Sequence, residues 1–394
     1  MWGLHSILMG AILAPLLYAQ SDSLAVIRFL QKEVRRLTAF RGRGHGTADA
    51  ARTVRYITQR FRKMGYGVRV DTFPLSVYRL TEARVWVSAD GRRWQKLRLG
   101  HDFVPAGFSK PIEGRWRVDT SAPQPDAAWL THMPLSQALR QARQGGAALL
   151  LLPQSKLIAT VATASIAPSV IYIRDTLPVP AFVKVQLRGR LIQTIGWNVS
   201  AHLKGQKSDS AWVIGAHYDH LGRIGRATFW GANDNASGVA CLLALADRMK
   251  KAPTPPYDVW FVAFGAEELG LVGSQAWVQR PPYPLQRLRG MLNFDLMGFG
   301  EKGLAVVGGA DQPDFWQRID SLRKACGWDP PLLLRPNAPN SDHYPFREKG
   351  VPALFFYLEG GPGYYHDIYD RPGTLTWVGA YPFLRWMQTL LQMP

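Results

Sequence analysis

At 394 residues the chain is too long for one minimal domain and fits one large domain with an insert, or two domains. Hydrophobic residues make up 47% and charged residues 19%, which excludes intrinsic disorder, collagen and coiled coil. The two cysteines exclude a disulfide-built scaffold and a four-cysteine zinc site, and the net charge of +18 raises the question of an acidic partner.

Residues 1–19, MWGLHSILMGAILAPLLYA, carry an apolar run with the length of a signal-peptide core, ending at a cleavage point after Ala19. This predicts an exported protein, periplasmic or secreted, with no stable membrane insertion once the leader is removed. Helical spacing follows over Ser23–Phe40 and again over Ala50–Met64, where Gly65 stops it. Val68–Phe73 reads as a strand. From about 80 to 193 the pattern changes to short β-like runs such as Arg84–Val87 and Arg115–Asp119, with one helix at Leu135–Gln144. The segment 81–193 is thus expected to be an inserted smaller β-rich domain, splitting a main domain into 20–80 and 194–394. Beyond Trp197, apolar strands at 198–203, 211–216, 259–264, 290–294, 303–307 and 353–357 alternate with helices at 236–249, 314–326 and 378–391. That rhythm predicts an α/β fold with a mixed, mainly parallel central sheet flanked by helices on both faces.

The charge is unevenly placed. Residues 1–100 hold 18 basic and 6 acidic side chains, whereas residues 196–394 hold 19 and 18. The basic residues form no dense block, so they read as a solvated face, and no nucleic-acid partner is expected.

Five features of the second half lie at or beyond strand ends, where ligands collect in open α/β sheets. In AWVIGAHYDHLG (211–222) His217 and Asp219 point to one side of an extended backbone, so the carboxylate can orient the imidazole. GANDNASGVA (231–240) places Asp234 in a turn that opens an apolar helix. In DVWFVAFGAEELGLVGS (258–274) a buried strand runs into Glu267 and Glu268, whose diverging side chains suit one metal ligand and one group facing substrate. GMLNFDLMG (290–298) ends a strand on Asp295, and GYYHDIYD (363–370) places His366 in a loop before the last helix. Two imidazoles and three carboxylates suit zinc supported by hard oxygens. Two zinc ions, three carboxylates and a bridging hydroxide sum to about zero charge, which a partly buried cleft tolerates.

The order and wording of GAHYDHLG, GANDNASG, AEELGLVGS and NFDLMG resemble the co-catalytic zinc aminopeptidases of metallopeptidase family 28, over residues 23–75 and 196–394. Residues 80–193 resemble the protease-associated insert of many members. The resemblance implies a three-layer sandwich binding two zinc ions and hydrolysing N-terminal residues from peptide substrates. It implies that Asp234 bridges the metals, that His217 and Asp295 complete one and Glu268 and His366 the other. It further implies that Glu267 is the general base, that Asp219 orients His217, that Tyr365 stabilises the oxyanion, and that the Asp234–Asn235 peptide bond is cis. A carboxypeptidase of the same family, with Arg223, Arg226 or Arg347 meeting a substrate carboxylate, and a single-zinc glutaminyl cyclase are the alternatives. His45, His101, His132, His202 and His220 have no place in this pattern and are expected to be ordinary surface or packing residues. SDHYPF (341–346) is expected near the substrate cleft. A disulfide between Cys241 and Cys326, and the oligomeric state, stay open.

Overall fold

The computed structural model describes residues 3–394, with side chains from Ser21 onward; the leader expected at 1–19 lies outside the residues whose side chains are described. Two helices open the chain, α1 (Gly3–Thr38) and α2 (Ala48–Lys63). Thr47 caps α2 by accepting the Asp49 N–H, and Val54, Ile57 and Phe61 form its buried face. A single 22-residue strand follows, β1 (Gly67–Ser88), joining the two separate pieces expected at 68–73 and 84–87. Pro74 directly follows the first of these pieces. It is tolerated because β1 has no second neighbour at that position, so the missing N–H leaves no ladder bond unmade.

The next segment holds β2 (Gln95–Lys96), β3 (Phe103–Pro105), β4 (Ile112–Asp119), β5 (Ala127–Leu130), α3 (Leu135–Gln144), β6 (Leu149–Gln154) and β7 (Ser169–Arg174). The long strand β8 (Phe182–Leu203) then pairs antiparallel with β1 from Gly67 opposite His202 to Ser88 opposite Phe182. Positions 80/81 and 193/194 fall inside these two strands. The Phe73 ring lies over Gly196, where a Cβ would come within 2.2 Å of it, so the glycine makes room for the aromatic face.

The second half runs β9 (Lys207–His217), β10 (Gly222–Ile224), β11 (Ala227–Phe229), α4 (Gly238–Lys251), β12 (Tyr257–Phe264) and α5 (Val272–Gln279). It continues through β13 (Leu288–Phe294), β14 (Gly303–Val307), α6 (Pro313–Ala325), β15 (Leu332–Arg335), α7 (Tyr344–Glu348), β16 (Ala353–Glu359) and α8 (Ala380–Gln392). One sheet orders these strands β15-β14-β16-β13-β9-β12-β8 and runs on through β4-β5-β6-β7-β3. Its centre, β16-β13-β9-β12, is parallel.

Alternation along the central strands separates two cores. Trp212, Ile214, Ala216, Phe261 and Ala263 face a core shared with α1, α2, α4, α6 and α8, while Ala211, Val213, Val262 and Phe264 face α5 and α7. The β-rich segment packs its own core around Val85, Phe103, Leu151, Ile171 and Val185. Cys241 is buried in α4, Cys326 caps α6, and both are free thiols. Among the described residues no helix is long and apolar enough to cross a membrane.

Trp386 of α8 is fully buried against Trp316, Phe356 and Phe383, and its indole N–H donates to the Ile319 carbonyl at 3.0 Å. Trp386→Ala is expected to cost about 3–5 kcal/mol, read as a lower midpoint in denaturant unfolding. A loss under about 1 kcal/mol would show that α8 does not anchor this core.

Candidate metal centre

Register brings the candidate ligands to one edge of the sheet. Phe264 of β12 pairs with His217 of β9, and Asn293 of β13 pairs with Gly215, which sets Asp295 level with His217. Three non-glycine residues with left-handed backbones sit where the chain leaves a strand or enters the site: Ala266 (φ 58°), Leu296 (φ 56°) and His366 (φ 55°). Such conformations are sparsely populated and cluster where side chains must be aimed. Asp234 lies in the turn 232–237 before α4, and its peptide bond to Asn235 is cis.

Asp234 divides its two oxygens between two groups of donors. Oδ1 lies 3.4 Å from His217 Nε2, which is also 3.4 Å from Asp295 Oδ2. Oδ2 lies 3.1 Å from His366 Nε2, which is also 3.1 Å from Glu268 Oε2. Ligands about 2.0–2.2 Å from a tetrahedral zinc stand roughly 3.3 Å apart, so the imidazole-to-carboxylate distances of both groups suit a zinc site. The donor chemistry fits as well. His366 Nδ1–H donates to the Ala159 carbonyl at 3.0 Å, because a carbonyl can only accept, and Nε2 is thereby turned toward the carboxylates. Asp234 Oδ2 and Asp295 Oδ1 are buried with no hydrogen-bond donor. These residues form two groups able to hold a metal ion, His217–Asp234–Asp295 and His220–Asp234–Glu268–His366.

The electrostatics demand positive charge. Burial opposes charge on His217, yet Glu267, Asp295 and Asp234 raise it well above the ordinary histidine value. His366 is raised in the same way against burial, by Glu268 and Asp234. Despite burial, His366 and His220 hold Glu268 down at about 2. Glu267 behaves oppositely: burial, then Glu268, Asp342 and Asp295, push its carboxyl well up, against the pull of His217. Its Oε2 stands 3.9 Å from His217 Nε2. Tyr365 is 46% exposed and stacks on the His366 ring at 3.9 Å.

Asp219 is placed differently from the expected pairing. It lies 3.8 Å from His217 Nδ1, beyond hydrogen-bond range, and instead accepts the backbone N–H groups of Glu267 (3.2 Å) and Glu268 (3.4 Å). It therefore holds the Glu267–Glu268 corner. In SDHYPF, the Ser341 hydroxyl donates to Asp295 Oδ2 at 3.0 Å and accepts from Asn293. Burial pulls His343 down to about 3 and pushes Asp342 up to about 7; the His343 ring packs on Phe355.

Several residues of the site lack any local sequence signal. Arg43, from the opening segment, is fully buried and donates to the carbonyls of Tyr218 (2.7 Å), Trp230 (2.9 Å), Gly231 (2.7 Å) and Asp234 (3.3 Å). Burial lowers its guanidinium to about 10 while Asp370, Asp234 and Asp219 support it, so it stays charged at neutral pH. Asp370 accepts the N–H groups of Asn233 (2.7 Å) and Asp234 (3.0 Å). Two histidines expected to be ordinary are corrected here: His45 Nε2 accepts the Ala266 N–H at 2.8 Å, and His220 contacts Glu268 at 2.7 Å. His101 bonds the Tyr369 hydroxyl and His202 stacks on Trp260 beside Asp258, away from the metal-ligand groups. Ala159, inside the β-rich segment where no catalytic role was expected, exchanges two hydrogen bonds with His366.

Two cavities border these loops. One of about 300 Å³ is lined by Leu296, Phe299, Tyr357, Tyr364 and Tyr365. A larger one of about 960 Å³ carries Arg84, Lys96, Arg98, Arg226 and Arg371 against Glu82.

Residues 198–387 match the model of Peptidase family M28. Similar proteins include leupeptin-inactivating enzyme 1 of Streptomyces exfoliatus, 29% identical over 47% of this chain and 41% of that one. Aminopeptidase YwaD of Bacillus subtilis is 34% identical over 39% and 33%. The chain spans less than half the length of these two relatives in the matched stretches. Among solved structures, a zinc aminopeptidase from Bacillus subtilis superposes with a TM-score of 0.73 at 21% identity, covering 93% of this chain and 95% of that one. A glutaminyl cyclase from Porphyromonas gingivalis reaches 0.54 at 13% identity over 92% and 96%. These likenesses establish the fold.

Arg43→Ala is expected to destabilise the protein by about 3–5 kcal/mol, because it leaves buried carbonyls unpaired. Arg43→Lys recovers only part of this, since an ammonium cannot span four carbonyls. Unfolding midpoints check both, and a neutral Arg43→Ala would show that the segment does not brace the site.

Proposed function

For a chain whose residues 198–387 match the model of Peptidase family M28, we propose the function of an exported exopeptidase with two zinc ions, an aminopeptidase that releases N-terminal residues from peptides. The observation that carries this reading is the division of Asp234, one oxygen toward His217 and Asp295, the other toward Glu268 and His366. Asp234 would bridge the ions and the other four residues would complete them. Zinc bound there supplies Lewis-acid polarisation of the scissile carbonyl and acidifies water.

The chain's own residues do the rest. Glu267, whose proton affinity is raised by burial and neighbouring carboxylates, takes the proton of the attacking water and returns it to the leaving amine. Asp219 fixes the backbone that aims Glu267, through the N–H groups of Glu267 and Glu268. Tyr365, half-exposed at the rim, offers its hydroxyl to the oxyanion. The aromatic cavity beside Tyr365 suits an apolar side chain of the N-terminal residue. Residues 81–193 act as an inserted domain that frames the site through Ala159.

Glu267→Gln is expected to lower turnover about 10²–10⁴-fold while metal analysis still finds two zinc ions. Near-normal turnover would remove Glu267 from the role. In a panel of aminoacyl-chromophore substrates, leucyl and phenylalanyl derivatives are expected to be cleaved faster than glutamyl ones, with activity lost to chelator. Cleavage of N-acetylated peptides but not of C-terminally amidated ones would replace the aminopeptidase by a carboxypeptidase. Pyroglutamate release without hydrolysis would replace it by a cyclase.

A further inference from the structure

We infer that His220 is a positioning residue for one of the two metal subsites, acting through Glu268. The inference rests on the dinuclear reading above and extends it to a side chain outside the ligand set that the family resemblance implies.

His220 is fully buried and follows Asp219 in the loop after β9. Its Nδ1 lies 2.7 Å from Glu268 Oε1 but 3.9 Å from Asp234 Oδ2. Two ligands of one zinc stand roughly 3.3 Å apart. A separation of 2.7 Å is a hydrogen bond between a charged carboxylate and an N–H donor. Nδ1 is the ring nitrogen with a hydrogen-bond partner among the described residues, so it carries the proton. Glu268 thus divides its carboxylate: Oε1 accepts from His220, and Oε2 faces His366 at 3.1 Å. A carboxylate held by one oxygen cannot swing to chelate through both. His220 therefore sets which oxygen is offered and in what plane.

The loop around it is shaped for the ring. Gly231 adopts φ 58°, and a Cβ there would come within 2.5 Å of the His220 ring and 2.1 Å of the Asp234 carbonyl. The imidazole meets His366 edge-on, with ring centroids 5.6 Å apart. Gly231 is thus the glycine that admits the imidazole beside the turn carrying Asp234.

The test is calorimetric titration of zinc into the metal-free protein and its variants, with unfolding midpoints of the metal-free forms measured alongside. Wild type is expected to bind two zinc ions. His220→Ala is expected to weaken one of them about 10–100-fold, the usual effect of removing a partner of a ligand, and to leave the other within twofold. His220→Asn, whose amide nitrogen sits where Nδ1 sits, is expected to keep both near wild-type affinity, whereas His220→Gln behaves like alanine. Should His220→Ala fail to fold, the Asn and Gln pair still decides, since both are polar and fill similar space. Unchanged zinc affinity in His220→Ala or His220→Gln overturns the inference, as does equal weakening of both ions. A wild type that binds one zinc overturns the dinuclear reading; if His220→Ala weakens that ion, the role of His220 stands.

Discussion

Four carboxylates, Asp234, Glu267, Glu268 and Asp295, are gathered within a few ångströms at the end of an apolar sheet, and such a cluster persists only if its charge is answered. The neighbourhood is organised by that demand. Imidazoles face the outer oxygens, backbone N–H groups converge on Asp219 and Asp370, and a buried guanidinium supports the turn from beneath. The odd member is Glu267, whose carboxyl is pushed up by burial and by Glu268, Asp342 and Asp295 against the pull of His217, and so keeps a high affinity for a proton. Two carboxyls of opposite proton affinity thus arise from adjacent residues of one strand end, separated by environment and not by chemical type.

The parts of this arrangement that were readable from sequence are those with a local signature. His217, Asp295 and Glu268 each end an apolar run, and strand-to-loop transitions are visible in hydropathy alone. Helices 135–144 and 314–326 were legible for the same reason, their periodicity being contained in one window. Arg43, His45, His220 and Ala159 act across the fold. Arg43 is one arginine among many in a basic N-terminal stretch, and what distinguishes it is complete burial under carbonyls 175 to 191 residues away. His220 stands within GAHYDHLG, where nothing in the motif says that it reaches Glu268. Ala159 contributes a backbone carbonyl, which no residue type advertises.

The same limit governs the long strands. Pro74 and the glycines of β8 interrupt the alternation that a strand displays, and the structure carries the pairing through them. Edge placement and close approach are tertiary properties, and they overrode local preference. The basic excess has a comparable history. Part of it lines the large cavity beside the loop of Ile368 and Arg371, which gives the unequal charge distribution a location on the surface.

The pairing of β1 with β8 has a topological consequence. Leu80 stands opposite Gly189, and Leu75 opposite Thr194, so the two chains entering the β-rich segment are antiparallel neighbours about 5 Å apart at each step. To the catalytic layer, everything beyond such a rung is equivalent to the tip of a hairpin. The segment is thus a graft on a hairpin: the chain leaves the sheet and rejoins it on neighbouring strands. Contact with the catalytic layer is then made a second time, at Ala159. The graft is held at its stem by a ladder and at its far side by the proton on one imidazole nitrogen of His366.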